Sequence, residues 1–378
     1  MKHDKKVIFT ANTSWYLYNF RLSLATRLRE QGFTVVFVAP RDGFSAKLEQ
    51  AGFSFLEWKV IREGLNPFLE LLSLWRLFKI YKAEQPTFVH HFTIKAVLYG
   101  SLAAKGLRVS GVANSITGLG HVFIDQSPLM RLVRGLVGQI YQTLTDSSHT
   151  RFIFQNHDDA DFFLRQRMVS PERVRLVKGS GVDMGRFSPK KAGSKPSVLF
   201  VGRLIREKGI YEFLAAAKQV KERSTGVHFL VAGSPDFGNP SSISREELQV
   251  MQESGVAEFC GHVNEIEKLI AEVQIVALPS YREGLPRILL EAGSMERGLI
   301  ASNVPGCREV VISSETGILV PVKDPDALAK AIFQLLEDEE LRMRLGKNAR
   351  EHIRRNLSDE VVLRETEKIY AEFFANQA

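Results

Sequence analysis

Residues 275–292 read Ile275-Val-Ala-Leu-Pro-Ser-Tyr-Arg-Glu-Gly-Leu-Pro-Arg-Ile-Leu-Leu-Glu-Ala292. An apolar run ends at Leu278, a loop with Glu283 and Gly284 follows, and Pro286 stands where the first residue of a helix is favoured. Strand, short loop and helix form the repeating unit of a parallel α/β sheet. The helix start offers free backbone N–H groups and a positive dipole end, which suit a phosphate. Glu283 lies in the loop ahead of it, and Glu291, eight residues on, about a turn and a half into the helix. A carboxylate at that position can accept paired hydroxyl hydrogen bonds, as from a ribose. The plainer reading makes Glu283 a helix cap and Glu291 a solvated helix position, and spacing alone leaves both open.

Working outward, the same pattern recurs. Val198–Val201 is followed by Gly202-Arg-Leu-Ile-Arg-Glu-Lys-Gly209, which puts Arg203 and Lys208 at the carboxyl end of a strand. Two cations with two glycines in one such loop suit a diphosphate. Further strands are expected at Phe229–Ala232, Glu258–Cys260, Ile300–Ser302 and Ile318–Val320, with helices near 211–223, 286–296, 326–337 and 340–356. Upstream, short apolar runs at Val7–Thr10, Val35–Ala39, Phe53–Leu56, Phe88–His91, Val112–Asn114, Phe152–Gln155 and Val174–Val177 alternate with helical periods. Continuous apolar strands point to parallel sheets covered on both faces. The polar, Pro- and Gly-rich run 188–196 reads as a linker. The expectation is two doubly wound domains facing each other across a cleft, 1–190 and 191–357, with a terminal helix in 358–378 packing back on the first. Ligands of such sheets bind beyond the carboxyl ends of the strands.

The 378 residues are 44% hydrophobic and 25% charged, which excludes a disordered or fibrous chain. The net charge of +7 is uneven: residues 1–190 hold 26 Lys/Arg against 15 Asp/Glu, and the remainder 24 against 28. Cys260 and Cys307 lack metal-ligand spacing and read as small apolar residues. Gly179-Ser-Gly181 has no third glycine at the dinucleotide spacing. Met1-Lys-His-Asp-Lys-Lys6 runs straight into a short strand, so no secretory signal is expected, and Leu65–Tyr81 carries too many polar residues for a spanning helix.

The motifs together resemble family 4 glycosyltransferases of the GT-B type, which have two Rossmann-like domains. The pieces are Gly202-Arg203 with Lys208-Gly209, Glu283 with seven residues before Glu291, Gly306-Cys-Arg-Glu309 with Gly317-Ile-Leu-Val320, and Gly181-Val-Asp183 with Phe187. The resemblance implies that Arg203 and Lys208 neutralise the diphosphate of a nucleotide sugar and that Glu291 holds its ribose. Glu283, with Gly284, Leu285 and Pro286 after it, would meet the donor sugar. It also implies transfer with retention, usually without a metal, in which the leaving phosphate takes the acceptor proton. A UDP-sugar is the expected donor.

The first half departs from many relatives, with Ala11-Asn-Thr-Ser14 in place of a Gly-Gly loop. Segments 90–95 and 114–121 resemble a subset acting on sugars attached to polyprenyl diphosphate. Asn12, Ser14, His91, Lys95, Thr117 and Gly118 are the acceptor-side candidates, and His121, after a Gly-rich turn, is placed for the donor phosphate or sugar. His90 and His91 lie on opposite faces of a strand, so at most one would face the cleft. Segments 127–143 and 65–82 have helical apolar spacing with basic residues alongside. Each alone reads more simply as a helix covering a sheet, and the surplus base of the first half tilts the pair toward an anionic membrane surface. No nucleic-acid module is present. The function expected is sugar transfer to a lipid-linked saccharide in surface-glycan assembly, at the inner face of the cytoplasmic membrane. The alternatives are a nucleotide-sugar epimerase, a glycosyl phosphorylase, or a non-catalytic nucleotide-sugar-binding protein.

Overall fold

Runs such as Thr34-Val-Val-Phe-Val-Ala39 carry no polar alternation because both of their faces are buried. The computed structural model describes residues 5–60, 66–118, 123, 128–145, 149–239 and 241–374. The chain divides into two units, unit 1 being Met1–Ser180 with Val362–Ala378 and unit 2 being Gly181–Val361.

Unit 1 runs β1 (Lys6–Thr10), α1 (Ser14–Glu30), β2 (Thr34–Ala39), α2 (Ser45–Gln50), β3 (Ser54–Glu57), α3 (Pro67–Glu84), β4 (Phe88–Phe92) and α4 (Ile94–Leu107). It continues with β5 (Gly111–Ile116), α5 (Pro128–Thr145), β6 (Thr150–Phe154), α6 (His157–Arg165) and β7 (Val174–Leu176). The strands pair in parallel in the order β3-β2-β1-β4-β5-β6-β7, with Val7 opposite both Val35 and Phe88.

Unit 2 runs β8 (Ser197–Val201), α7 (Ile210–Arg223), β9 (His228–Ala232), α8 (Arg245–Glu253), β10 (Glu258–Gly261), α9 (Ile266–Glu272) and β11 (Ile275–Leu278). Then come α10 (Arg287–Ser294), β12 (Gly298–Ser302), α11 (Pro305–Arg308), β13 (Ile318–Val320), α12 (Pro325–Glu337) and α13 (Glu339–Asn356). Its order is β10-β9-β8-β11-β12-β13, again parallel. Both orders begin as a doubly wound nucleotide fold does, and each reverses once: between β1 and β4, and between β8 and β11. In doubly wound sheets the ligand crevice lies at such a reversal. The sequence places its two donor loops there, directly after β8 and β11.

Residues 181–190, assigned to the first domain from the polar run after them, belong to unit 2. Val182 and Phe187 are buried there with Leu199, Leu289 and Ile353. The last helix, α14 (Asp359–Phe374), enters unit 1 from residue 362 onward. Its Ile369, Tyr370 and Phe373 join the core around Phe88, and Glu372 receives Arg151 and Arg175 at 2.7 Å each. Among the described residues no helix is long and apolar enough to cross a membrane.

Phe373 is buried and stacks edge-on against Phe88 at 5.0 Å between ring centroids. Phe373→Ala is expected to cost about 3 kcal/mol of stability, in the range for truncating a core phenylalanine. Lys368→Ala removes an exposed ion pair with Glu365 and is expected to cost under about 0.5 kcal/mol. Urea denaturation of the two variants beside the parent chain checks both values.

Candidate functional site

In unit 2 three loops meet at the strand ends. After β8, Gly202 and Arg203 lead to a single 3₁₀ turn, Arg206–Lys208, and then Gly209 opens α7 in the left-handed region at φ 76°. A Cβ on Gly209 would collide with the carbonyl oxygen of Pro279, so the β8 loop can lie on the β11 loop only without a side chain there. Tyr281 N–H donates to the Glu207 carbonyl at 2.8 Å and ties the same two loops. The β12 loop closes the group, because a Cβ on Gly306 would strike the Gly284 carbonyl and Gly306 N–H donates to the Glu283 carbonyl at 3.3 Å.

This packing brings Lys208 and Glu283 together. The lysine Nζ donates to Glu283 Oε1 at 2.5 Å, with the side chains 21% and 10% exposed. Burial pushes the thiol of Cys307 upward and the nearby Glu283 pushes it further, so Cys307 is an inert packing residue, as its apolar reading anticipated. Cys260 is only half-buried. Arg203 reaches the Asp236 carboxylate, beyond β9, at 2.6 Å. Both cations that the sequence suggested for a diphosphate therefore already carry a carboxylate partner. Neither Asp236 nor its pairing was anticipated, since nothing in local spacing connects residues 33 apart.

Pro286 is extended, with ψ 113°, so it caps α10 and the helix starts one residue later, at Arg287. Leu285 packs against the unit 2 core and is half-buried. Glu291 is a buried side chain of α10, not a solvated one, and its Oε1 accepts from Arg287 Nε at 2.8 Å. Burial pushes its carboxyl above the ordinary range, while Arg287 and then Arg186 pull it back. Arg287 was passed over in the sequence, although it stands four residues before Glu291 on one helix face.

Unit 1 treats its candidates differently. Ser14 is buried, and its backbone N–H and hydroxyl both donate to the Asp42 carboxylate, which also takes Trp15 N–H at 3.2 Å. That carboxylate fills the start of α1, so Ser14 serves the fold and not an acceptor. His91 is likewise withdrawn: it is fully buried, with Nδ1 at 2.7 Å from Asn114 Oδ1 and Nε2 at 3.0 Å from the Tyr81 hydroxyl. Burial lowers its pKa to about 4. His90 is buried too and bonds Tyr370 and Ser115. Neither histidine meets an acceptor, because a strand covered on both faces has no open side.

Asn12 is half-buried just beyond β1. Lys95, in the first turn of α4, pairs with Glu70 of α3 at 2.7 Å, and Glu70 also accepts from the Tyr99 hydroxyl. Thr117 and Gly118 follow β5 and line a cavity of about 20 Å³ with Ile94, Ser115, Tyr141 and Phe163. His121 lies outside the described residues.

Residues 183–352 match the family model described as glycosyl transferases group 1, and residues 6–156 match glycosyl transferase 4-like. The chain is 29% identical over 358 residues to the N,N'-diacetylbacillosaminyl-diphospho-undecaprenol alpha-1,3-N-acetylgalactosaminyltransferase of Campylobacter jejuni, covering 91% of this chain and 93% of the other. It is 26% identical over 298 residues to the UDP-Gal:alpha-D-GlcNAc-diphosphoundecaprenol alpha-1,3-galactosyltransferase of Escherichia coli, 75% of each chain. The crystal structure of Anabaena HepE in complex with UDP and glucose superposes with a TM-score of 0.80 at 16% identity, over 97% of this chain and all of that one. That likeness shows the fold, the GT-B pair of Rossmann-like domains. With the two domain matches spanning most of its length, the chain belongs to the glycosyltransferases that join a 4-like domain to a group 1 domain.

Proposed function

We propose that this glycosyltransferase moves a hexose or N-acetylhexosamine, with retention, from a UDP-sugar to a saccharide on polyprenyl diphosphate, in surface-glycan, capsule, O-antigen or glycoprotein-glycan assembly. The observation that carries the reading is the convergence of Lys208, Glu283 and Arg203 on the strand ends at the unit 2 reversal. In breaking a glycosyl–phosphate bond the largest charge change is the one arriving on the leaving diphosphate, and fixed cations there lower the barrier most. Arg203 and Lys208 supply those cations, with Asp236 and Glu283 holding them until the diphosphate takes the carboxylates' place. Glu283, released from Lys208, and the backbone of Gly284 to Pro286 meet the donor sugar, and Glu291 holds the ribose. The leaving phosphate oxygen accepts the proton of the acceptor hydroxyl, so no protein nucleophile is called for. The two cations do the neutralising that a metal would otherwise do.

The acceptor reading draws on the two relatives, whose names both state alpha-1,3 transfer to a sugar on diphospho-undecaprenol. In unit 1, Lys95, Asn12, Thr117 and Gly118 follow β1, β4 and β5 and are the groups proposed for that side. The apolar exposure of unit 1 supports a membrane site. Phe68, Leu71 and Trp75 form one stripe of α3, 84%, 65% and 50% exposed, and Lys79 lies over the Trp75 ring at 3.7 Å. Leu132 and Leu136 of α5 are exposed in the same way beside Arg131, and both helices pack on α4. A surface helix ordinarily turns its polar side outward. Here apolar and basic groups share the outer face, as a helix on an anionic bilayer requires.

Lys208→Ala and Arg203→Ala are each expected to lower kcat by about 10²-fold, the scale of removing one fixed charge-stabilising donor. The measurement is product formation, read by mass, from a panel of UDP-sugars and polyprenyl-diphosphate saccharides. Activity is expected to survive excess EDTA. Interconversion of the donor sugar without acceptor would overturn the transfer reading in favour of an epimerase.

Phe68→Ser with Trp75→Ser is expected to reduce sedimentation with phosphatidylglycerol vesicles at least tenfold, each buried aromatic being worth about 2 kcal/mol. Turnover of a short-chain, water-soluble acceptor is expected to stay at the parent level. Equal loss in both assays would show that the stripe serves folding and not the membrane.

A further inference from the structure

Arg287 opens α10, and its Nε donates to Oε1 of Glu291 at 2.8 Å, with side chains 24% and 11% exposed. The second oxygen, Oε2, takes no hydrogen bond among the described residues. The carboxylate is therefore clamped at one oxygen and left available at the other. We propose that Arg287 is a positioning residue for the donor: it fixes the Glu291 carboxylate, ionised and with Oε2 presented, for the ribose hydroxyls of the nucleotide sugar. The inference rests on the reading of Glu291 as the ribose partner.

The surroundings of Glu291 make one such cation necessary. From its own helix it faces Arg287, from the 183–186 loop Arg186, and from α9 Glu267, which Arg186 holds at 2.8 Å. Arg287 in turn faces Asp359 at the start of α14, and Asp183 lies beside that carboxyl. Burial raises Glu291 and Glu267 raises it further, while Arg287 is the largest influence lowering it. Removing Arg287 leaves a buried carboxyl that takes up a proton nearer neutral pH. A protonated carboxyl offers one charge-assisted acceptor fewer, so donor affinity then falls as the pH falls. Lysine at this position would keep the charge but lose the rigid planar contact through Nε.

Asp359 titrates in the same region, since burial pushes its carboxyl up to about 6. It faces Arg287 and has no part in the proposed donor contacts, so Asp359→Asn separates the two carboxyls. The experiment follows the Kd of UDP-galactose by calorimetry from pH 6 to 8.5, with KM and kcat for the accepted donor. Arg287→Met is expected to weaken Kd and raise KM about tenfold at pH 7.5, the worth of one charge-assisted hydrogen bond, with kcat within about threefold. Its acid limb is expected to move up by about one pH unit or more. Arg287→Lys should recover most of the affinity, and Asp359→Asn should not move the limb upward. Parent affinity and profile in Arg287→Met, beside a weakened Glu291→Gln, would overturn the inference and leave the ribose reading standing. Parent affinity in Glu291→Gln would instead sink the ribose reading, and the positioning role with it. An acid limb moved upward by Asp359→Asn would reassign the titration to Asp359 and overturn the proposal as well.

Discussion

A parallel strand covered on both faces commits its polar backbone to its neighbours and leaves no side on which a charge can meet water. Each unit is built of such strands, so chemistry is confined to what lies beyond their ends. The order reversal in each sheet then selects which ends are open, because only there do successive helices leave to opposite faces. In unit 2 the selected ends are those of β8 and β11. Gly209, Gly306 and the carbonyls they face allow the loops after β8, β11 and β12 to lie one on another. The ion pair of Lys208 with Glu283 is a result of that backbone contact as much as of attraction between the two charges.

Charges brought so close to a core need counter-charges, and the structure supplies them one for one: Lys208 with Glu283, Arg203 with Asp236, Arg287 with Glu291. Pairs of this kind add little net stability, since loss of hydration offsets the attraction. What they do is hold the charged groups in fixed places at the strand ends. In the proposed reading, an incoming diphosphate would replace a carboxylate and would not have to bring charge balance to a site that lacked it.

Legibility in the sequence followed the same physics. Apolar runs marked the strands to within a few residues at their ends, and glycine, lysine and glutamate marked the strand-end loops that the fold of unit 2 brings together. The histidines were misread for a reason that the strands themselves contain. Period-two logic gives His90 and His91 opposite faces, but in a doubly covered sheet both faces are interior. Ser14 was named as an acceptor-side candidate because nothing in local spacing shows that Asp42, 28 residues away, takes its N–H and hydroxyl. Asp236 and the true edge of unit 2 were hidden likewise, being set by packing across the fold. The alanine- and glycine-rich α4 showed little apolar period, because a helix packed under α3 and α5 is apolar around most of its circumference.

The charge imbalance also changes meaning once the units are known. Counted by unit, 26 Lys/Arg stand against 17 Asp/Glu in unit 1 and 24 against 26 in unit 2, a balance of +9 and −2. Yet at its strand ends unit 1 shows internal partners, with Asp42 on α1, Glu70 on Lys95 and two neutral histidines. Much of its surplus base is therefore available to the helices, where Lys79 and Arg131 stand among exposed leucine and aromatic side chains. Unit 2 is the reverse, mildly acidic as a whole and cationic at one place. A field set by net charge extends no further than about 10 Å at ordinary ionic strength, so each balance acts on what touches its own unit. The charge is thus divided between a diffuse basic surface on one unit and a few carboxylate-paired cations at the strand ends of the other.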